Sequence, residues 1–209
     1  MSYRQELETA KKAALAAGQI LVEQKNNLNK SIFSSNTDIK LEADIVAEKL
    51  IKEILIDETS FPILAEESGQ SSDQLTNIFW VVDPLDGTAN YSRNIPICCV
   101  SIALIKNMEP VLGVIYDFNN NDLYEGSVNT TSMQNGLEIK VSDISNQGEG
   151  ILITGLPNKT DYSDEALLKM VKDFQGWRKV RMIGSAAIGS VYIASGKADV
   201  YKESRTYLF

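Results

Sequence analysis

Two apolar segments of this sequence are each followed by a pair of acidic residues. Phe61–Ala65 and Asn77–Val82 both have the composition of a short buried strand. Because ligand sites in α/β proteins gather at the carboxyl ends of neighbouring strands, we expect these acids to lie close together. Carboxylate oxygens suit a hard divalent cation such as Mg²⁺, and a cation would offset the repulsion among like charges. The acids concerned are Glu66 and Glu67 after the first segment, and Asp83 and Asp86 after the second.

The residues that follow Asp86 favour an anion site. Gly87 permits a close turn, and the segment from Gly87 to Asn90 can open a short helix with outward-pointing N–H groups. Free N–H groups at the start of a helix bind anions, and phosphate is one of them. The alternative is that Asp-Pro-Leu-Asp-Gly forms an ordinary turn, since all of these residue types favour turns. Glu66 and Glu67, which follow the neighbouring apolar segment, count against a simple turn and favour a site for a cation beside a phosphate.

The composition excludes several other kinds of chemistry. The chain has no histidine, so a Ser-His-Asp triad, a Cys-His pair and His-ligated zinc are impossible. A net charge of −8 disfavours binding to nucleic acid. The two cysteines, Cys98 and Cys99, are adjacent and are expected to point to opposite faces of a strand, so we expect no disulfide. Without a signal peptide or an apolar stretch of ~20 residues, we expect a cytoplasmic protein that does not enter a membrane.

Hydrophobic periodicity predicts an α+β arrangement in the first part of the chain. Amphipathic helices are expected over roughly the first 28 residues and over Ala43–Ile56, with the polar segment 26–38 as a loop between them. Tight turns then join successive strands, as in a β-meander. A Thr/Ser/Asn-rich turn precedes the last strand of this part. The predicted strands after Asn77–Val82 are Ile97–Ile105, Val111–Tyr116, Asp122–Val128 and Leu137–Val141.

Strands and helices alternate in the rest of the chain, which is typical of a parallel or mixed α/β sheet. The strands are predicted at Ile151–Thr154, Val180–Ile183 and Asp199–Lys202, and the helices at Ser163–Phe174 and Ser185–Ser195. We expect Ser142–Gly150 to form a boundary between an α+β domain, residues 1–145, and a smaller α/β domain, residues 146–209.

The segment WVVDPLDGTANY, from Trp80 to Tyr91, resembles the W-x-x-D-P-[IL]-D-G-T motif of the inositol monophosphatase family. This family consists of Mg²⁺-dependent, lithium-sensitive phosphatases. The resemblance implies their layered αβαβα sugar-phosphatase fold, with the metal site in the larger domain and the smaller domain on the substrate side. Similarity extends over nearly the whole chain, at Ile39–Asp44, Glu66–Ser68, Gly113–Asp117, Gly184–Ala187 and Ala198–Glu203.

The resemblance also implies a role for each matching residue. Glu66, Asp83 and the backbone carbonyl of Leu85 would hold one Mg²⁺, and Asp83 and Asp86 would share a second, with two or three ions in all. Thr88 and Asp44 would orient the attacking water, and the amides of Gly87 and Thr88 would bind the phosphate. The alcohol part of the substrate would contact Gly184, Ser185, Ala186 and Glu203.

Simpler interpretations stay open at several of these positions. Asp44 could be an acid at a helix N-terminus, where the helix dipole favours it. Ser185 could serve only as a helix cap, and Glu203 could be an ordinary solvated acid at a strand end. We place Glu67 outside the direct ligands. Lys40 stands where the family usually has Val, which disfavours a third metal.

The activity that the resemblance implies is hydrolysis of an inositol phosphate or related sugar phosphate by a metal-activated water, in a homodimer. Fructose 1,6-bisphosphate, histidinol phosphate and 3′-phosphoadenosine 5′-phosphate are alternative substrates. An inactive metal-binding paralogue is a further alternative, because Phe209 stands where the family has Trp, one residue before an Asp that completes the second metal site. We therefore expect a chain truncated at its C-terminus, without the last strand and helices of the fold, and a weaker second metal.

Overall fold

The computed structural model describes residues 3–35, 39–71, 75–156 and 160–203. The helices are α1 (Arg4–Glu23), α2 (Lys25–Leu28), α3 (Glu42–Glu58), α4 (Thr88–Ser92), α5 (Asp164–Phe174) and α6 (Ala186–Ala194), with a 3₁₀ turn at Gln147–Glu149. The strands are β1 (Ser31–Ser34), β2 (Ile39–Leu41), β3 (Ile63–Ala65), β4 (Gly69–Gln70), β5 (Ile78–Asp86), β6 (Cys99–Lys106), β7 (Glu109–Asp117), β8 (Asp122–Ser127), β9 (Thr130–Gln134), β10 (Leu137–Glu138), β11 (Ile151–Thr154), β12 (Lys179–Met182) and β13 (Val200–Lys202).

Within the described residues, eight strands form the main sheet in the order β10-β9-β8-β7-β6-β5-β3-β4. Neighbouring strands run antiparallel except β3 and β5, which are parallel and pair Ala65 with Val82. This register places Glu66 and Asp83, the next residues along each chain segment, at the same end of the sheet. The expectation that two neighbouring strands deliver their acids at one edge is confirmed.

Helices α1 and α3 pack against each other and against this sheet. Each of them buries small residues at helical spacing, which lets the backbones approach closely. Trp80 of β5 is fully buried beneath them, and its Nε1 donates a hydrogen bond to Thr59 Oγ1 at 3.0 Å. The buried residues that α1 contributes are Thr9, Ala10, Ala13, Ala14, Ala17, Gly18 and Leu21.

Gly18 provides a test of this packing. A Cβ at this position would lie 2.5 Å from ring carbons of Tyr116 and 2.9 Å from the Cβ of Phe118. We expect Gly18→Ala to lower the free energy of unfolding by about 1–3 kcal/mol, because overpacking outweighs the better helix propensity of Ala. Gly113→Ala is the control, since a Cβ there meets nothing within 4 Å. Urea denaturation of both variants measures the difference, and equal stability would contradict the close approach of α1 to β7.

Three further strands of the described chain form a second sheet, in the order β12-β11-β13. All of its pairs are parallel, in agreement with the predicted strand–helix alternation. The helices α5 and α6 connect successive strands. Because Thr154 of β11 pairs with Lys202 of β13, the residues that follow them, Gly155 and Glu203, lie at the same edge.

Two polar segments differ from the prediction. The predicted loop at residues 26–38 contains the end of α2 and the strand β1, which pairs with β2. The predicted turn before Leu137 contains β9, which pairs with β8 and β10. Both strands are largely exposed and lack alternating apolar residues, so their pairing depends on partner strands that a periodicity analysis does not detect.

Some predictions concern residues beyond this description. Phe209 lies outside the described residues, which end at residue 203.

The main sheet ends at Glu138 and the second sheet begins at Ile151, while the division into two domains at Ser142–Gly150 stays a prediction. In the described ranges, no helix is long and apolar enough to cross a membrane.

Candidate active site

The first part of the candidate site is formed where β3 and β5 end side by side. The Glu66 N–H donates a hydrogen bond to the Val82 carbonyl at 3.1 Å, which continues the parallel pairing by one residue. This step brings the side chains of Glu66 and Asp83 into hydrogen-bonding contact. Glu66 is exposed, whereas Asp83 is half-buried. The structure thus brings together two of the predicted ligands from different strands.

The chain bends directly after Asp83. Asp83 Oδ1 accepts a hydrogen bond from the Leu85 N–H at 3.1 Å, and the pairing of β5 with β6 is interrupted between Asp83 and Asp86. Gly87 then adopts a left-handed conformation with φ of 92°. A Cβ on Gly87 would lie 2.8 Å from the Ile97 carbonyl oxygen, so both the conformation and the space favour glycine. Helix α4 begins at the next residue.

Thr88 and Asp44 contact each other across two elements. Thr88 Oγ1 lies 2.9 Å from Asp44 Oδ1 and 3.0 Å from the Leu85 carbonyl oxygen. Asp44 is buried in the first turn of α3, and its Oδ2 accepts a hydrogen bond from the Leu41 N–H at 2.7 Å. Asp44 therefore stabilises the start of its own helix through Oδ2 and contacts Thr88 through Oδ1. The interpretation of Asp44 as an acid at a helix N-terminus explains only the first of these contacts.

The carboxylate of Asp86 faces the start of helix α6. Its Oδ2 accepts hydrogen bonds from Ser185 Oγ at 2.6 Å and from the Ala187 N–H at 2.7 Å. Ser185 Oγ in turn accepts a hydrogen bond from the Ile188 N–H at 3.1 Å, so Ser185 is a helix cap as its simpler interpretation states. Asp86 thus connects the motif after β5 to the second sheet.

Burial raises the pKa values of all four acids, and nearby negative charges raise those of Glu66, Asp83 and Asp44 further. Burial raises the pKa of Glu66 to about 7 and that of Asp44 to about 6, with the charge of Glu67 contributing in both cases. Burial, together with the charges of Asp86 and Glu66, also raises the pKa of Asp83. For Asp86 burial is again the main cause of the raised pKa, and hydrogen bonds from Ser185 and Ala187 oppose it. The site therefore holds negative charge at a free-energy cost.

The acids fit a hard cation by their chemistry. In the part of the chain that the structure describes, no Lys or Arg forms an ion pair with any of the four. The contact between the carboxyl groups of Glu66 and Asp83 is unfavourable when both are charged, and a bound divalent cation would offset that repulsion. No three Asp, Glu or Cys side chains of the described residues are already arranged as ligands of one ion. The acids thus offer oxygen ligands of the right type. The described residues bring two of them into contact and do not form a complete set of ligands around one ion.

The raised pKa values predict how stability depends on pH without metal. Glu66 and Asp44 have ordinary pKa values of 4.5 and 3.8, so above these values the folded chain holds protons that the unfolded chain has lost. The free energy of unfolding should therefore fall as pH rises through about 5 to 7. Thermal unfolding in a chelator should give a lower midpoint at about pH 8 than at about pH 5.5, and Glu66→Gln should reduce that difference. An unchanged difference in the variant would show that the protonation of Glu66 does not contribute to this pH dependence.

Two further acids lie apart from these four. Glu67 turns away to Lys40, with Oε2 and Nζ 2.8 Å apart, and its backbone N–H donates to Glu48 Oε2. Glu203 follows β13 and lines a cavity of about 610 Å³ beside α5, where a Cβ on Gly155 would lie 2.0 Å from its Oε1. The placement of Glu67 outside the direct ligands stays a prediction, and so does the substrate role of Glu203.

Asn90 is a residue of the site to which the sequence assigns no role. Its Nδ2 donates hydrogen bonds to the carbonyl oxygens of Ile97 at 2.8 Å and Ile183 at 2.7 Å, and it lies 3.4 Å from that of Gly184. Gly184 has a φ of 71°, and a Cβ on it would lie 3.1 Å from Asn90 Nδ2. No sequence pattern signals these contacts, because Asn90 and Ile183 are 93 positions apart.

Comparisons with known proteins identify the family that this chain resembles. A sequence model described as the inositol monophosphatase family matches residues 2–208. The Nus factor SuhB of Xylella fastidiosa is 37% identical over 197 residues, which cover 92% of this chain and 71% of that protein. The fructose-1,6-bisphosphatase/inositol-1-monophosphatase of Aquifex aeolicus is 34% identical over 203 residues, covering 92% of this chain and 74% of that protein.

A solved structure gives the same result for the fold. The inositol monophosphatase from Anabaena (Nostoc) superposes with a TM-score of 0.84 and 32% sequence identity, over 97% of this chain and 76% of that chain. The predicted layered fold, with helices packed on a central mixed sheet, is confirmed.

Proposed function

This chain belongs to the inositol monophosphatase family, and on that premise we propose that it hydrolyses a phosphate monoester of a small polyol, an inositol phosphate or a related sugar phosphate. The observation that carries the proposal is the contact between Glu66 and Asp83 at the ends of two parallel strands, with Asp86 and Thr88 in the following turn. Acids that lie close together without a Lys or Arg ion-pair partner among the described residues cost free energy, and such groups concentrate at functional sites. Binding of Mg²⁺ for phosphate hydrolysis is such a use.

The residues that would hold Mg²⁺ follow from this arrangement. Glu66, Asp83 and the Leu85 carbonyl would bind one ion, and Asp83 and Asp86 would bind a second. When bound, Mg²⁺ supplies a Lewis acid that lowers the pKa of water and neutralises charge on phosphate oxygens. The hydrogen bond from Leu85 N–H to Asp83 Oδ1 fixes the orientation of this carboxylate.

Thr88 and Asp44 would direct the attacking water. Thr88 Oγ1 donates its one proton toward Asp44 Oδ1, so a lone pair of Oγ1 is free to accept a hydrogen bond from water. As the water attacks phosphorus, its proton would pass to Thr88 Oγ1 while the Thr88 proton passes to Asp44 Oδ1. The pKa of Asp44, raised to about 6, suits a group that must accept a proton near neutral pH.

The turn at Gly87 would bind the phosphate, and the loop before α6 would bind the alcohol. The left-handed backbone of Gly87 lets successive N–H groups, those of Gly87 and Thr88, turn toward one anion. Gly184, Ser185 and Ala186 would contact the alcohol, with Glu203 as a further contact. Because Asp86 contacts Ser185, the two sides of the proposed substrate site are directly connected.

Measurement of phosphate release tests the proposal. The wild-type chain with Mg²⁺ is assayed on inositol 1-phosphate, fructose 1,6-bisphosphate, histidinol phosphate and 3′-phosphoadenosine 5′-phosphate, with EDTA as the control. We expect Mg²⁺-dependent release that is fastest with inositol 1-phosphate. Faster release from another of the four would assign that substrate, and no release from any of them would refute the phosphatase.

A non-catalytic role is the second candidate, because the relative from Xylella is named a Nus factor. Calorimetric titration with Mg²⁺ separates the two candidates: binding of Mg²⁺ without any phosphate release supports a metal-binding factor. A homodimer stays a further prediction, and sedimentation velocity of the chain would test it.

A further inference from the structure

We propose that Asn90 is a positioning residue, which holds the loop 183–187 against the phosphate-binding turn and thereby sets which alcohol the site accepts. This inference rests on the proposed function for its consequence, but the positioning itself rests on contacts of the described residues. Asn90 stands in α4, on the turn that carries Gly87 and Thr88, whereas Ile183 and Gly184 belong to the connection between β12 and α6.

The amide of Asn90 makes a connection that few other groups could make. Its two N–H bonds point to carbonyl oxygens on different segments, that of Ile97 before β6 and that of Ile183 after β12. Both carbonyl oxygens can only accept hydrogen bonds, so a single side chain that satisfies both must donate two protons. Gly184 completes the fit. A Cβ at this position would lie 3.1 Å from Asn90 Nδ2, so the absence of a side chain leaves room for the amide.

Asn90 and Asp86 form hydrogen bonds with the same loop, Asn90 as a donor and Asp86 as an acceptor. Asp86 accepts hydrogen bonds from Ser185 and Ala187, whereas Asn90 donates to Ile183. The two residues are four positions apart in one short segment, so this segment holds both the donors and the acceptors of the loop. Any shift of the loop would break contacts of both kinds, and the loop position is therefore fixed relative to the turn at Gly87.

This arrangement separates two properties of the proposed enzyme. The acids and the turn at Gly87 act on the phosphate, which every substrate shares. The loop 183–187 would meet the remainder of the substrate, and it is held to the acids by the hydrogen bonds of Ser185 and Ala187 to Asp86, which do not involve Asn90. Loss of the Asn90 contacts should therefore weaken binding of a polyol phosphate while leaving the reaction of a phosphate with a different leaving group nearly unchanged.

The test compares Asn90→Asp and Asn90→Ala with Asn29→Asp. Asp has the shape of Asn but cannot donate to the carbonyls, and Ala removes the side chain. Asn29 also donates to a backbone carbonyl, that of Ser92 at the end of α4 at 3.1 Å, and does not contact the loop. Each variant is assayed on inositol 1-phosphate and on p-nitrophenyl phosphate, and amide hydrogen exchange is measured for a peptide spanning residues 183–188.

In both Asn90 variants we expect the KM for inositol 1-phosphate to rise roughly tenfold, the scale of one or two lost hydrogen bonds, with kcat reduced by less than about threefold. The kcat/KM for p-nitrophenyl phosphate should stay within about twofold, and exchange of the loop peptide should become roughly tenfold faster. Asn29→Asp should change neither the kinetic constants nor the exchange of the loop peptide. Unchanged loop exchange in both Asn90 variants would overturn the positioning role. Equal loss on the two substrates would overturn the selective effect. If the wild type hydrolyses neither substrate, the proposed function fails, and hydrogen exchange still decides the positioning.

Discussion

Replacement of Asp83 by Asn should lower Mg²⁺-dependent phosphate release by more than about 100-fold, since changes to groups that only support metal ligands already cost about 10–100-fold. Asp83 contacts Glu66, and the charge of Asp86 contributes to its raised pKa. Because it interacts with both of these acids, Asp83 would bind both ions. Asn keeps an oxygen that can accept the hydrogen bond from Leu85 N–H, but it carries no negative charge. The loss should therefore come from metal binding and not from a distorted turn.

Thermal unfolding distinguishes this result from a folding defect. Without metal, Asp83→Asn should be at least as stable as the wild type, because it removes one of several acids that repel each other when charged. Addition of Mg²⁺ should raise the midpoint of the wild type and leave that of the variant nearly unchanged. Asp143→Asn, the same substitution at an exposed position, is the control for the change of net charge. Full activity of Asp83→Asn would refute the proposed metal site.

Replacement of Gly87 by Ala should destabilise the chain by about 2–4 kcal/mol, which adds the strain of a left-handed conformation to that of overpacking. The added Cβ would lie 2.8 Å from the Ile97 carbonyl oxygen and 3.1 Å from Cys98 Cβ, and both atoms belong to the segment directly before β6. The expected decrease in thermal midpoint is roughly 4–16 °C for a chain of this size. Phosphate release should also fall, because the N–H groups of the turn would move.

Gly69→Ala is the matched control for this substitution. Gly69 also has a positive φ, of 70°, but a Cβ there would meet nothing within 4 Å. Its loss of stability should therefore be limited to about 1–2 kcal/mol from the backbone conformation alone. Denaturant titrations of the two variants measure the difference. If Gly87→Ala is no less stable than Gly69→Ala, the close approach of this turn to Ile97 is wrong.

Hydrophobic patterns predicted much of the fold because they are local. The strands β5 to β8 and the helices α1 and α3 carry apolar residues at regular spacing, and all of them lie close to the predicted ranges. The polar strands β1 and β9 escaped prediction, since exposed residues leave no periodic signal. Their conformation depends on pairing with neighbouring strands, which a single segment of sequence does not encode.

By itself, the sequence determined the chemistry that is available to this protein. Without histidine, and with acids directly after two apolar strands, it limited the site to oxygen ligands, hydroxyls and backbone amides, and the motif from Trp80 to Tyr91 indicated the family. Residue types and short spacings are sufficient for this, because they set which atoms a turn can present.

Only the tertiary structure decided which of these groups meet. The parallel register of β3 with β5 brings Glu66 to Asp83, and the packing of α3 brings Asp44 to Thr88 across 44 positions. The contacts of Asp86 and Asn90 with the loop before α6 span 93 positions or more. Such contacts form because each segment buries an apolar face against the others, and the polar groups at their ends are then placed by that packing. A local pattern therefore identifies the reacting groups, and the packing of distant segments determines their arrangement.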